Sequence, residues 1–157
     1  VNPRKKHKKP SGLIFEPSLH LCLVSPSAVM MKKELFARVG LFDEDFPVCE
    51  DYDLWLRISA ANIPIYLIDR PCTVKHGGND DQLSKKHSQD KYRIRSIFQL
   101  IHAGVLSPAH QLAATQVLKE KCRIYGQGCL KRGKTKEGHF YLNLADQGNF
   151  TGSIVFP

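Results

Sequence analysis

An acidic pair, Glu50-Asp51, stands in the run Phe46-Pro47-Val48-Cys49-Glu50-Asp51-Tyr52-Asp53-Leu54-Trp55, between a proline-containing loop and an apolar-periodic segment. Carboxylates in the first turn of a helix gain from unpaired backbone N–H groups and from the positive end of the helix dipole, which also fix their direction. Leu54, Trp55 and Ile58 recur at helical spacing, so that face docks and the acidic turn projects from its edge. A carboxylate held in this way is placed to take a proton from a hydroxyl. The same pattern also suits an ordinary helix start, where Asp and Glu are favoured without any chemistry. Cys49 is a nucleophile by residue type, but no base partner is apparent beside it, and a small buried residue is the plainer reading.

The elements that must position this turn follow from apolar spacing and turn residues. Residues 19–24 form a short apolar run that reads as a strand ending at Ser25-Pro26. The later part of 27–39 reads as a helix with Leu35, Phe36 and Val39 facing inward and Gly40 as its stop. An irregular loop over 42–49 leads into a helix over 52–61 that ends at Asn62. Residues 65–68 read as a buried strand, and 71–76 continue as an edge strand after the break at Pro71. From about residue 86 the chain reads as helical to near 132. Gly104 and Ser107-Pro108 divide that stretch into an antiparallel pair. Beyond residue 140 a glycine- and asparagine-rich tail is expected, frayed over 151–157.

Composition bounds the alternatives. A chain of 157 residues, 42% hydrophobic and 24% charged, can bury a core, and no apolar run is long enough to cross a membrane. The five cysteines are odd in number and widely spaced with no C-x-x-C pair, which points to reduced thiols and a cytoplasmic setting. The net charge of +8 is concentrated in Arg4-Lys5-Lys6-His7-Lys8-Lys9 and in Lys131-Arg132 with Lys134 and Lys136. Neither run is interleaved with aromatics as a nucleic-acid stacking surface would be. A solvated face ranks first, attraction to an anionic membrane surface second, and nucleic acid last, so no nucleic-acid partner is expected.

Three stretches taken in order carry a family resemblance: Ser25-Pro26-Ser27-Ala28-Val29-Met30-Met31, then Val39-Gly40-Leu41-Phe42-Asp43-Glu44, then Glu50-Asp51-Tyr52-Asp53-Leu54-Trp55-Leu56-Arg57. Together they resemble the acceptor-side half of bacterial family 2 glycosyltransferases, inverting enzymes of GT-A fold. The likeness runs from about Gly12 to about Ser84 and includes Lys75-His76-Gly77-Gly78 and Asp81-Gln82-Leu83-Ser84. It implies an α/β fold: a partial GT-A-like mixed sheet with flanking helices, followed by a C-terminal helical hairpin. The implied divisions are a basic tail over 1–12, the acceptor-side half over 13–85, a helical segment over 86–140 and a tail over 141–157. A nucleotide-binding unit would precede this half in the family, so the resemblance implies the C-terminal part of a larger enzyme, inactive alone. It further implies an exposed sheet edge through which the piece self-associates. Asp43-Glu44-Asp45 has the spacing of a metal-binding acidic motif but falls inside the later G-x-F-D-E turn, and is not assigned that role.

By motif position, the resemblance makes Asp51 the general base and Glu50 the group that orients it or the acceptor. Asp53, Trp55, Gly77 and Gly78 are then substrate contacts. Trp55 is open to a second reading as core, and Asp53 is spaced to pair with Arg57 across one turn. Relatives carry a histidine after the two glycines; here that place holds Asn79 and the histidine is His76, so either is the candidate metal contact. The implied cofactor is a divalent metal, magnesium or manganese, in the full-length enzyme. The implied partners are a nucleotide-sugar donor and a glycan or lipid-linked acceptor, with the enzyme in the cytoplasm or at the inner membrane face. Two other classes stay open: a non-catalytic helical interaction module, and a basic nucleic-acid-binding protein. For the module, Tyr125, Gly126, Gly128 and Ala145 are similar to one tetratricopeptide unit, though a single repeat does not define that architecture.

Overall fold

The computed structural model describes residues 9–74, 89–147, 150 and 154–157. Among these residues six α-helices follow in order: α1 (Phe15–His20), α2 (Leu35–Val39), α3 (Glu50–Ala60), α4 (Gln89–His102), α5 (Pro108–Lys131) and α6 (Thr135–Asp146), with a 3-10 turn over Pro26–Ala28. The expected α/β fold with a mixed sheet is overturned, because the described residues form no strand. Phe15 and Leu19, four residues apart, both bury, so the start of the expected strand over 19–24 winds into α1 instead. Of the expected strand over 65–68, only Ile65 pairs, exchanging two 2.9 Å hydrogen bonds with Gly12. Tyr66 and Ile68 are 77% and 67% exposed, so this segment lacks the neighbours that make a strand stable. Residues 71–74 of the expected edge strand are irregular, and 75–76 lie outside the described residues.

The helices form where spacing and stop signals agree. Gly40 ends α2 at φ 82° and donates its N–H to the Phe36 carbonyl, a backbone conformation that costs glycine nothing. Asn62, at φ 56°, follows α3 in the same left-handed region, which asparagine tolerates. Pro108 opens α5 behind the Ser107 cap, whose side chain accepts the His110 N–H at 3.3 Å. One apolar cluster gathers residues from α1, α3, α4, α5 and α6, among them Leu19, Tyr52, Ile97, Leu118 and Tyr141. A second is centred on Leu54, Trp55 and Ile58, with Phe36, Val39 and Ile65 packed over it.

The helix α6, in place of the expected end of the helical segment and start of the tail, packs along α5 through two glycines. A Cβ added to Gly126 would stand 2.9 Å from the Gly138 carbonyl oxygen, and one added to Gly138 only 2.6 Å from Leu130 Cδ2. Helix propensity favours alanine over glycine by about 1 kcal/mol, but overpacking a tight contact costs about 1–3 kcal/mol. Gly126→Ala and Gly138→Ala are therefore each expected to lower stability, and denaturant unfolding reads the sign. The expected tail also docks in part: Phe150 and Phe156 meet the Phe98 ring edge-on at 6.1 and 5.4 Å.

Candidate functional site

The acidic turn is held from three directions. Behind it, the 43–45 turn closes with the Asp45 N–H donating to Asp43 Oδ1 at 2.9 Å and the Phe46 N–H to the Asp43 carbonyl. Arg95 of α4 reaches over this turn, pairing with Asp45 at 3.6 Å and lying 4.9 Å from the Phe46 ring centroid. Phe46 and Val48 bury, and the chain then turns sharply at Cys49, whose φ of 66° is left-handed in a residue that carries a Cβ. Such a conformation costs about 1–2 kcal/mol and persists only where surrounding contacts impose it. Its consequence is local: Cys49 becomes the cap of α3, its carbonyl accepts the Asp53 N–H at 3.0 Å, and Glu50 and Asp51 occupy the first turn.

Asp51 is half-buried and engaged on both oxygens. Oδ1 accepts the Tyr52 N–H at 2.7 Å and Oδ2 accepts the Cys22 thiol at 3.5 Å, a bond across 29 residues of sequence. Burial, with the Asp51 charge and hydrogen bond adding to it, pushes the Cys22 thiol up to about 12. Burial likewise pushes Cys49 up to about 11, its thiol donating to the Gln89 carbonyl at 3.7 Å. Cys122, inside the core, is pushed up to about 12 by burial. These thiols are neutral donors near neutral pH, which supports the plainer reading of Cys49 over a nucleophile.

Their titration has a sign. The folded state holds these protons above the thiol reference of 9.0, so it binds more protons in alkali than the unfolded chain does. The stability this represents is whole below pH 9 and is lost as pH rises through 11 to 12. Thermal unfolding followed from pH 8 to 11 under reducing conditions is expected to show a flat midpoint to about pH 9 and a fall beyond it. A profile flat to pH 11 would show that the thiols are hydrated.

The remaining predicted residues are dispersed. Asp53 turns inward: it is 5% exposed, accepts the Ser96 hydroxyl on Oδ1 at 2.8 Å and pairs through Oδ2 with Arg57 at 2.8 Å, the partner its spacing indicates. Arg57 then donates to the Val39 and Leu41 carbonyls on either side of Gly40, fastening the G-x-F-D-E turn to α3. Trp55 is buried in the second cluster, and its Nε1 meets no acceptor among the described residues. Glu50 is half-buried beside Asp51. His76, Gly77, Gly78 and Asn79 lie outside the described residues. Among the described residues no three His, Cys, Asp or Glu side chains gather as a metal would need.

Two cations and a thiol at this site carried no signal in the sequence reading. Cys22 reaches Asp51 from the linker after α1. Arg93 of α4 lies with its guanidinium 5.9 Å from the Tyr52 ring centroid and hydrogen-bonds Asp90 and Gln89. Lys121 of α5 donates to the His20 carbonyl at 3.1 Å. Position on the amphipathic stripes of α4 and α5 is the only pointer to these cations, and it does not separate them from solvated neighbours. No family model, curated protein or solved structure matches the chain. No helix among the described residues is long and apolar enough to cross a membrane.

Proposed function

We propose that this chain supplies the acceptor side of an inverting glycosyltransferase, with Asp51 as the base that takes the proton from the acceptor hydroxyl. The observation that carries the reading is the placement of Asp51: a half-buried carboxylate at the start of an 11-residue helix, held by a backbone N–H and a neutral thiol. Neutral donors orient the carboxylate without taking its charge away, which is what a base requires. The order of the G-x-F-D-E turn and the E-D-x-D-L-W-L-R helix supports the same reading, and the clamps by Arg57 and Arg95 give that order a physical purpose. The hydroxyl attacks the anomeric carbon, Asp51 receives its proton, and the nucleoside diphosphate leaves from the opposite face. Donor binding, a divalent metal and a glycan or lipid-linked acceptor belong to this proposal as partners, and the cytoplasmic face of a membrane as its location.

The test is release of nucleoside diphosphate from a panel of sugar nucleotides with magnesium or manganese. The longest natural chain carrying this sequence is compared with its Asp51→Asn variant. Turnover that collapses in the variant is the expected result, and equal turnover in both removes Asp51 from the chemistry. No turnover with any donor favours the helical interaction module, for which the close α5–α6 pair is the specific observation.

A further inference from the structure

An apolar face lies open where the residues before α1 meet those after α3. Gly12 and Ile65 exchange their two hydrogen bonds there, and the Leu67 N–H donates to Ser11 Oγ at 3.1 Å. In an extended pair successive side chains alternate between two faces. Ile65 packs over Leu54, Trp55 and Ile58, so its neighbours turn the other way. Leu13, Tyr66 and Ile68 accordingly stand 68%, 77% and 67% exposed, while Leu67, on the Ile65 side, falls to 41%. Three large side chains share one outward face with no cover among the described residues, and a cluster of this kind marks a contact site.

The charge around this face decides what it meets. Lys9 and Arg70 flank it, both exposed, three residues before Gly12 and two after Ile68. Lys9 also ends the run Arg4-Lys5-Lys6-His7-Lys8-Lys9, so the cations Arg4, Lys5, Lys6 and Lys8 adjoin it in sequence, and no acid stands in residues 1–15. Asp69 is the only acid in residues 61–74. A second copy of this chain is a poor occupant, because a two-fold contact would set each of these cations against its own image. A nucleic acid offers the anions but gives Leu13 and Ile68 nothing apolar to enter. A bilayer containing anionic lipid offers both, with charged headgroups at the level of the cations and acyl chains beneath them. Tyr66, with an apolar ring and a polar tip, suits the boundary between the two.

We propose that Leu13, Tyr66 and Ile68 form a shallow membrane-docking face, held on anionic lipid by Arg70, Lys9 and the basic run that Lys9 ends. This gives contact residues to the membrane location within the proposed function, and it rests on that part of the reading. One weak membrane signal gives marginal, reversible attachment, and two together give a stable one, so loss of either is expected to release the chain.

The experiment is sedimentation of the full chain with vesicles of phosphatidylcholine, with and without phosphatidylserine. Binding that requires phosphatidylserine is expected, and its absence overturns the proposal. Tyr66→Ser combined with Ile68→Ser is expected to weaken binding by about 100-fold, at about ten-fold for each large apolar side chain withdrawn. Lys9→Gln and Arg70→Gln are each expected to weaken it by about five-fold. Lys131→Gln combined with Lys134→Gln, in the exposed basic turn between α5 and α6, is expected to bind as the wild type does. Binding that the serine substitutions leave intact would mark charge attraction alone, as would an equal loss in the Lys131→Gln, Lys134→Gln chain, and either overturns the proposal. Tyr66→Trp is expected to add, to the emission of Trp55, a component that shifts to the blue on phosphatidylserine vesicles. An unshifted component overturns the proposal even if the doubly substituted chain does not fold. Dimers in analytical ultracentrifugation that Tyr66→Ser abolishes would give the face to a second copy instead. Vesicle binding is read without turnover, so the two readings fail separately. Sugar transfer by a chain that ignores vesicles sinks this inference alone, and vesicle binding with equal turnover in Asp51→Asn sinks only the base.

Discussion

Asp51→Asn is expected to lower sugar transfer by about 10²–10⁴-fold, the usual range for losing a positioned general base, while the unfolded fraction hardly changes. Asparagine keeps one oxygen, which accepts the Tyr52 N–H, and sets an amide NH2 against the Cys22 sulfur where Asp51 accepts the thiol. The bond at the helix start therefore survives, and the half-buried thiol contact is exchanged for a weaker one. What it removes is the capacity to hold a proton. Turnover and denaturant unfolding measured on the same preparation separate the two effects. A large loss of turnover with an unchanged unfolding midpoint is the signature of chemistry; parallel losses would return Asp51 to the role of a helix-start residue. Glu50→Gln supplies the scale, because an orienting group costs less to neutralise than the base itself.

What the sequence made legible was local. Helical spacing of Leu54, Trp55 and Ile58 predicts the docked face of α3, and the structure buries all three together. The four-residue interval between Asp53 and Arg57 predicts their pairing, and Gly40 predicts the end of α2. Each of these depends on residues within about one turn of one another. The expected sheet failed for the opposite reason. A strand is defined by its neighbours, and the apolar content of residues 65–68 cannot reveal that Gly12 is the only pairing partner among the described residues. Residues 19–24 carried the same ambiguity between a short strand and a short helix, which the burial of Phe15 with Leu19 resolves.

The candidate site divides along the same line. Glu50, Asp51 and Asp53 stand out in the sequence because they are adjacent, but nothing local says that Asp51 turns toward Cys22 while Asp53 turns into the core. That divergence follows from helix geometry, since two residues on a helix are about 200° apart, and from which neighbours α4 and the post-α1 linker provide. Arg93 and Lys121 come from α4 and α5, so their approach to the acidic turn is a product of tertiary packing alone. The α6 helix was obscured by Gly138, a poor helix former that is needed where the two backbones approach closely.

Removing Asp53 is expected to cost about 3 kcal/mol, the lower end of the range for breaking a buried ion pair, because the Arg57 side chain is 23% exposed and partly hydrated. Asp53→Ala strands two partners at once. The Ser96 hydroxyl, buried on α4, loses the acceptor that holds it at 2.8 Å, and Arg57 loses the carboxylate that fixes its Nε and Nη2. Arg57 in turn grips the carbonyls around Gly40, so the G-x-F-D-E turn loosens although no residue in it has changed. Ser96→Ala in the Asp53→Ala background removes the stranded hydroxyl and is expected to recover part of the loss, giving a coupling of about 0.5–3 kcal/mol. Denaturant unfolding of the two single variants and the double variant measures it. A cost below about 1 kcal/mol with no coupling would mean that water reaches this carboxylate and that α3 and α4 are held by apolar contact alone. If the cost is as expected, Asp53 and Asp51 divide the labour of one helix turn. The inward carboxylate fixes the turn to α4 and α2, and the outward one is then steady enough to take a proton.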